Sequence, residues 1–320
     1  LKTKSNDILY VASKRKGIVE VDLRNRKCRT LCSLAKDMRP TNLILDSNKF
    51  LWLSTTHGLL CYDLYSGNVT VYHSDPRDCF SISDSFITKV YKDDKGRLWV
   101  GTQYGGLNYY SPSHDVFRKV CKLSDGTSLE GAIVRSIAED ADGNLWVATE
   151  RKGLLKYSDG ILGKVDSKLP QSILALADDQ TCLWMGSKKG ISRMEYATGK
   201  ITHYGPLGNE EKDNRVVSIF RSQSSDIYVG TTIGVMKYVR ESDTFELLPG
   251  LEGITMEHMA EAGRGILWMA SYSSGVYKYD MHKRCVCGHY SPQTGSDCIP
   301  DMISSICVDS ADNVWVIGFS

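Results

Sequence analysis

Leu98-Trp99-Val100-Gly101-Thr102-Gln103-Tyr104-Gly105-Gly106-Leu107 is the stretch that decides the fold. An apolar pair carrying an aromatic is followed by a small or hydroxyl residue and, a few positions on, a glycine. The same phrase recurs eight times, with its aromatic at Tyr10, Trp52, Trp99, Trp146, Trp184, Tyr228, Trp268 and Trp315. The spacings are 42, 47, 47, 38, 44, 40 and 47 residues, and all six tryptophans of the chain fall in this slot. One supersecondary unit repeated along the chain accounts for that economy; a doubly wound or helical protein does not.

Aligned on the aromatic, each copy has the same grammar. An apolar stretch ending in an acid comes first, as in Ile133 to Asp140, and then a tight turn, Asp142-Gly143-Asn144. Asp-Gly suits the positive φ of such a turn. Leu145-Trp146-Val147-Ala148-Thr149 follows, rich in β-formers, then a polar corner closed by Gly153 and the run Leu154 to Tyr157. Four residues after the corner glycine stand Val21, Tyr62, Tyr110, Tyr157, Met194, Tyr238 and Tyr279. A second polar turn leads into a short last strand such as Val116 to Lys119. Four short strands in roughly 44 residues, with no helical period long enough for a crossover, is the period of a β-propeller blade.

The expected fold is therefore all-β: a propeller of four-stranded blades, seven in number, with eight as the alternative count. Strands are named A to D from the channel outward. The tryptophan of strand B is expected to fill the wedge between neighbouring blades, and the corner glycine to let the B–C turn pass close to the next blade. The reading finds seven A, eight B, seven C and seven D strands. It therefore expects closure by pairing of the N- and C-terminal strands, with Met302 to Val308 joining the blade that begins at Ile8. Residues 1–320 are taken as one propeller cut from a longer chain, with the strand at 314–319 left over for a following domain.

Composition excludes some function classes. With 39 basic and 38 acidic residues the net charge is +1, so no overall field draws the chain to nucleic acid or an anionic membrane. No apolar run approaches 18 residues, so a membrane connection is expected only through a part outside this sequence. The ten cysteines (28, 32, 61, 79, 121, 182, 285, 287, 298, 307) are scattered, and Cys28/Cys32 and Cys285/Cys287 do not have zinc-knuckle spacing. Buried free thiols are the favoured reading, Cys61 and Cys307 on strands being examples. No cofactor and no metal are expected.

The string from Leu98 to Tyr110, preceded by Asp93-Asp94-Lys95-Gly96-Arg97, resembles the two-component regulator propeller repeat. So does the linker before it, Tyr72 to Pro76 followed by Ser81-Ile82-Ser83-Asp84-Ser85-Phe86-Ile87; Arg284 to Ile303 is a looser copy. The resemblance runs through the chain and is sharpest around Trp99 and Trp146. It implies the periplasmic, ligand-sensing region of a hybrid two-component system, of a kind abundant in gut Bacteroidetes. There, a second propeller and a β-sandwich of the same chain precede a membrane helix, a histidine kinase, a receiver and a DNA-binding output. It further implies an oligosaccharide from polysaccharide breakdown as ligand, regulation of glycan-utilisation genes, and a homodimer in the full-length protein. The residue after each tryptophan is never the Asp of a WD repeat, and kelch-type paired glycines occur only at Gly105-Gly106.

Two rival classes stand beside the sensor: a protein-interaction scaffold, and a lactonase- or lyase-type propeller enzyme using a divalent ion. For the enzyme the inner-strand candidates are Asn42, Glu139, Glu257 and His258, against the reading that Glu139 merely occupies the repeated acid-before-turn position. No catalytic residue is assigned. The B–C turns and D–A links share one end of the channel, and three of the seven turns are basic: Lys14-Arg15-Lys16, Glu150-Arg151-Lys152 and Lys188-Lys189. The links add Arg39, Arg135 and Arg215. Arginine forks for a carboxylate or sulfate and tyrosine faces for sugar rings make Tyr104, Arg135, Arg151, Arg215 and Tyr272 the expected ligand-binding residues, for an oligosaccharide of anionic character.

Overall fold

A computed structural model describes residues 2–5, 8–22, 24–25, 27–47, 49–111, 116–120, 122–165, 169–205, 207, 215–291, 302–308 and 312–319. They form two compact units, residues 1–172 and 173–320. Unit 1 holds four blades. The first is β1 (Lys2–Ser5), β2 (Ile8–Ser13), β3 (Gly17–Asp22) and β4 (Lys27–Cys32); the second is β5 (Pro40–Asp46), β6 (Phe50–Thr55), β7 (Gly58–Asp63) and β8 (Val69–Tyr72). The third is β9 (Ile87–Lys92), β10 (Leu98–Thr102), β11 (Leu107–Ser111) and β12 (Val116–Val120). The fourth is β13 (Ile133–Glu139), β14 (Leu145–Glu150), β15 (Gly153–Ser158) and β16 (Ile161–Lys164).

Unit 2 holds three. Blade five is β17 (Ile173–Asp178), β18 (Cys182–Ser187), β19 (Gly190–Glu195) and β20 (Ile201–Tyr204); blade six is β21 (Val216–Arg221), β22 (Ile227–Thr231), β23 (Gly234–Val239) and β24 (Thr244–Leu247). Blade seven is β25 (His258–Ala262), β26 (Ile266–Ser271), β27 (Gly275–Asp280) and β28 (Cys285–Tyr290), and a two-stranded sheet of β29 (Met302–Val308) and β30 (Val314–Phe319) follows. Every sheet is an antiparallel meander in chain order, and the one helical element among the described residues is a 3₁₀ turn at Gly263–Gly265. This is the all-β architecture of seven four-stranded propeller blades that the repeat predicts.

The pairing at the ends differs from the expectation. Met302–Val308 pairs with Val314–Phe319, and the strand at Ile8 takes Lys2–Ser5 as its A-strand partner. Lys-Thr-Lys-Ser carries no apolar pattern, so periodicity does not reveal it. Its ladder rests on main-chain groups, which any non-proline residue supplies.

Each slot of the repeated phrase has a mechanical cause. The tryptophan of one blade meets the strand-C tyrosine of the next: Trp52 with Tyr110 at 5.1 Å, Trp99 with Tyr157 at 4.6 Å and Trp184 with Tyr238 at 4.7 Å between ring centroids. In three blades the indole N–H donates to the acid that closes the A–B hairpin, at 2.8 Å for Trp99 to Asp93, Trp146 to Asp140 and Trp184 to Asp179, whereas Trp52 Nε1 is buried without a hydrogen-bond partner. The small residue two positions on gives room to the next blade's first strand. A Cβ on Gly101 would stand 2.5 Å from Val134 Cγ1, and one on Gly186 2.4 Å from Val216 Cγ1. The hydroxyl after it donates to the corner-glycine carbonyl, in Thr55 to Gly58 (2.8 Å), Thr102 to Gly106 (2.9 Å), Thr149 to Gly153 (2.8 Å) and Thr231 to Gly234 (2.8 Å).

Two packing expectations are corrected. The corner glycine faces its own blade's exit, not the next blade: a Cβ on Gly190 would lie 2.6 Å from the Tyr204 carbonyl oxygen, and one on Gly275 2.3 Å from that of Tyr290. These glycines also have positive φ, 112° and 86°, which L side chains avoid. Trp52, Trp99, Trp146 and Trp184 are buried, but Trp268 is only half-buried. Its neighbour is the sheet of β29 and β30, through Ile303 and Ile306, two-stranded among the described residues.

The cysteines are mixed. Cys61 and Cys182 are buried and Cys32 and Cys307 half-buried, but Cys28, Cys79, Cys285 and Cys287 are exposed, contrary to the favoured reading. Edge strands β4 and β28 turn their side chains to solvent, which is why the two close pairs are not core residues. Cys121, Cys298 and most of the looser linker copy, 292–301, lie outside the described residues.

Candidate functional site

In each blade the start of strand A, the end of strand B and the B–C turn share one end, as the pairing of Ile133 with Glu150 shows. On blade three this end carries a cleft of about 660 Å³. Ser74, Pro76, Ser83 and Asp84 come from the link entering the blade, Tyr104 and Gly105 from its B–C turn, Lys119 from β12, and Ser128, Glu130 and Gly131 from the link leaving it.

The walls are held by their own hydrogen bonds. Asp84 accepts the backbone N–H of Phe86 at 3.0 Å and that of Tyr104 at 2.8 Å, fixing the turn to the entering link. The Tyr104 carbonyl accepts from Gly131 N–H at 2.7 Å, fixing it to the leaving link. Asn108, fully buried, accepts from the Ser83 N–H at 3.0 Å and donates to Ser83 Oγ at 2.8 Å. Lys119 Nζ donates to the Asp78 carbonyl at 3.1 Å. At the outer wall the Arg77 backbone N–H holds the Asp75 carboxyl below its ordinary value. Over this frame the Tyr104 side chain stands 56% exposed, an aromatic face beside hydroxyls, two carboxylates and an ammonium. Such a surface can stack on a flat apolar face while donating and accepting hydrogen bonds around it.

The expected ligand residues are distributed unevenly. In unit 1, Tyr104 and Arg151 flank the same link: a Cβ on Gly131 would be 3.6 Å from Arg151 Nη1. Arg151 has φ +80° in its turn and is exposed. Arg135 is different, because its guanidinium is committed to Glu150 on the neighbouring strand. In unit 2, Tyr272 is 47% exposed in the turn between β26 and β27. Arg215 stands beside Glu257, whose carboxyl is pushed up by burial and drawn back by the Arg215 charge. Sequence reasoning missed Ser83, Asp84, Lys119, Ser128 and Glu130. The linker phrase around Ser83-Asp84 was their signal, read as a connection and not as a wall.

The inner-strand acids considered for metal chemistry have other work. Glu139 Oε2 accepts the Asp94 backbone N–H of the preceding blade at 2.9 Å, with the Tyr91 hydroxyl at 3.5 Å. Burial raises its carboxyl above the ordinary value. In unit 2 the Glu261 carboxylate likewise accepts a backbone N–H of the preceding blade, that of Gln223 at 2.6 Å. His258 is exposed and Asn42 sits on β5 with its Oδ1 buried. No three His, Cys, Asp or Glu side chains gather at metal-binding distance among the described residues. A second cleft, about 570 Å³, lies in unit 2 among Phe220, Met259, Ile306 and their strand neighbours.

The fold defines a β-propeller of four-stranded blades. The two-component regulator propeller model matches residues 81–104 and 128–151, at blades three and four. The cleft lies between those two repeats, which supply Ser83, Asp84, Tyr104, Ser128, Glu130 and Gly131. Among solved structures, the chain is similar in fold to virginiamycin B lyase from Staphylococcus aureus (TM-score 0.62, 13% identity, covering 88% of this chain and 92% of that one). It is similar in fold to PorZ, a surface component of the type-IX secretion system of Porphyromonas gingivalis (TM-score 0.60, 13% identity, 99% and 52% covered). An extracellular domain assigned to a hybrid two-component system of B. thetaiotaomicron also matches (TM-score 0.40, 18% identity, 99% and 48% covered). The chain spans about half the length of that domain. No curated protein matches the chain. At these identities the structural likenesses concern the fold.

Proposed function

We propose that this chain is the ligand-sensing, extracytoplasmic propeller region of a hybrid two-component sensor, and that it recognises an oligosaccharide released from a polysaccharide. The observation that carries the reading is the cleft built by the two family-matched repeats, with Tyr104 exposed above a ring of hydroxyl, carboxylate and ammonium groups. Pyranose rings offer an apolar face for a tyrosine and hydroxyls on the rim, which is the chemistry this surface complements. Arg151, at the far side of the Gly131 link, adds a guanidinium for a uronate or sulfate. The region itself does no chemistry in this reading. It sits in the periplasm, works beside a second propeller and a β-sandwich in a dimeric full-length protein, and regulates genes for glycan use.

Calorimetric screening of glycan fragments against the full extracellular region tests it. Tyr104→Ala should weaken the hit by about 2 kcal/mol, the scale of an aromatic hot spot, which is roughly 30-fold in Kd. A charge-assisted fork is worth about 1.5–3 kcal/mol, so Arg151→Ala should cost one to two decades for an anionic fragment. Affinity unchanged by both substitutions would place the ligand elsewhere and end this reading.

A further inference from the structure

Blades one and two of unit 1 bear a concentration of positive charge that the cleft does not use. The B–C turn of blade one is Lys14-Arg15-Lys16, all three exposed. The link from β4 to β5 adds exposed Lys36 and Arg39. Turn and link lie together: a Cβ on Gly17 would stand 2.9 Å from Ser33 Cα, the first residue of the link. The link's other end is tied to the B–C turn of blade two, where Thr56 N–H donates to the Arg39 carbonyl at 3.0 Å and Arg39 N–H to Thr56 Oγ1 at 3.2 Å. One acid, Asp37, enters this stretch, and it lies 3.6 Å from His57 Nε2. Lys14, Lys16, Lys36 and Arg39 make no ion pair among the described residues.

Lys14, Lys16, Lys36 and Arg39 against the one acid, on a chain whose net charge is only +1, make a local field and not a general one. Such a patch attracts partners that carry several negative charges along a chain, and the attraction is screened by salt. Of the exposed aromatic side chains among the described residues of this unit, Tyr65, Phe80 and Tyr104, none lies in the turn or the link. The patch therefore lacks the aromatic platforms on which single-stranded nucleic acid stacks.

We propose that Lys14, Lys16, Lys36 and Arg39 form a docking surface for the sulfate or carboxylate groups of a polyanionic polysaccharide. This takes its choice of a glycan from the function proposed above, but it uses different residues and a different force. The chain is held by charge along its length here, whereas the cleft reads a ring at Tyr104.

The test measures binding of three probes to this chain at 50 and 200 mM NaCl: a heparin octasaccharide, its fully desulfated form, and a 12-nucleotide oligothymidylate. The octasaccharide is expected to bind at low salt, at least tenfold more tightly than either other probe, and to weaken steeply at 200 mM. Lys14→Gln/Lys16→Gln and Lys36→Gln/Arg39→Gln should each lower its affinity about tenfold and flatten the salt dependence, with the melting temperature unchanged because the side chains are exposed. Lys188→Gln/Lys189→Gln in unit 2 should leave it as it was. Octasaccharide binding that is absent, or indifferent to both double variants, overturns the proposal, as does equal binding of the oligothymidylate. If a neutral fragment binds and is lost in Tyr104→Ala while the octasaccharide does not bind, the charged surface fails and the cleft reading stands.

Discussion

Replacing Trp99 and Trp268 by alanine in separate variants separates the inter-blade wedge from the tryptophan itself. Trp99 is fully buried; its ring meets Tyr157 at 4.6 Å and Tyr109 at 5.3 Å, Arg97 lies over it at 5.2 Å, and its N–H is bound to Asp93. Truncating a buried tryptophan costs about 3–5 kcal/mol. The aromatic contacts add about 0.5–1.5 kcal/mol beyond area. The loss of the N–H to a buried carboxylate is softened because Arg97 Nε still donates to Asp93 at 2.6 Å. Trp99→Ala is therefore expected near the top of that range. Trp268 is half-buried and packs on Tyr290 at 5.7 Å, so its truncation should cost about half as much. Trp99→Phe supplies the partition: it keeps most of the packing and removes the hydrogen bond. Urea unfolding followed by far-UV circular dichroism and by tyrosine fluorescence reports all three, provided the two probes coincide. Trp268→Ala costing as much as Trp99→Ala would refute the argument that the depth of burial is what makes the slot strong.

Gly101→Ala should destabilise by about 1–3 kcal/mol through overpacking against Val134, and Gly101→Ala/Val134→Ala should cost less than the sum of the singles in a denaturation cycle. Thr102→Val should cost about 1 kcal/mol, the loss of its bond to the Gly106 carbonyl, whereas Gly106→Ala, at φ +75°, should cost about 1–2 kcal/mol from backbone strain; thermal unfolding ranks the pair. The Asp179 carboxyl is held low: burial would raise it, but hydrogen bonds from Trp184, Thr181 and Cys182 outweigh burial. Its stabilisation is thus present above the ordinary carboxylate value near 4 and lost as pH falls through the lowered folded value. Asp179→Asn should lower the melting temperature at pH 7, and the gap to the parent chain should close below about pH 4; a gap that persists in acid would show that the charge is not what matters.

Much of the architecture can be read in advance because the repeat repeats its mechanics. Aromatic, small residue, hydroxyl and glycine each recur because each meets a like neighbour in several blades. What escaped were features without a side-chain signature. Lys2–Ser5 pairs through its backbone, and the target of the corner glycine is a main-chain carbonyl at the end of strand D. The site was legible in part. Tyr104 and Arg151 were visible as unusual turn residues and do flank one link, but Glu150 as the partner of Arg135 depends on which residues oppose each other across β13 and β14. That register shifts between Val134 and Ser136, where one residue is left over, and a one-residue slip is invisible to composition. The cleft's other walls are serines and acids that look like any solvated link until the hydrogen bonds of Asp84 and Asn108 are seen.

Because the tyrosines that meet Trp52, Trp99 and Trp184 belong to the following blade, those blades do not own alone the energy that holds them. Stability is then shared between neighbours, in the manner of a chain of coupled two-state elements. A substitution in Tyr157 is a lesion of blade three as much as of blade four. Its effect should appear as lost hydrogen-exchange protection on β10, one blade upstream of the altered residue. A ligand that clamps the two links around Tyr104 would act on the same shared seam, tightening two blades at once without touching the core of either.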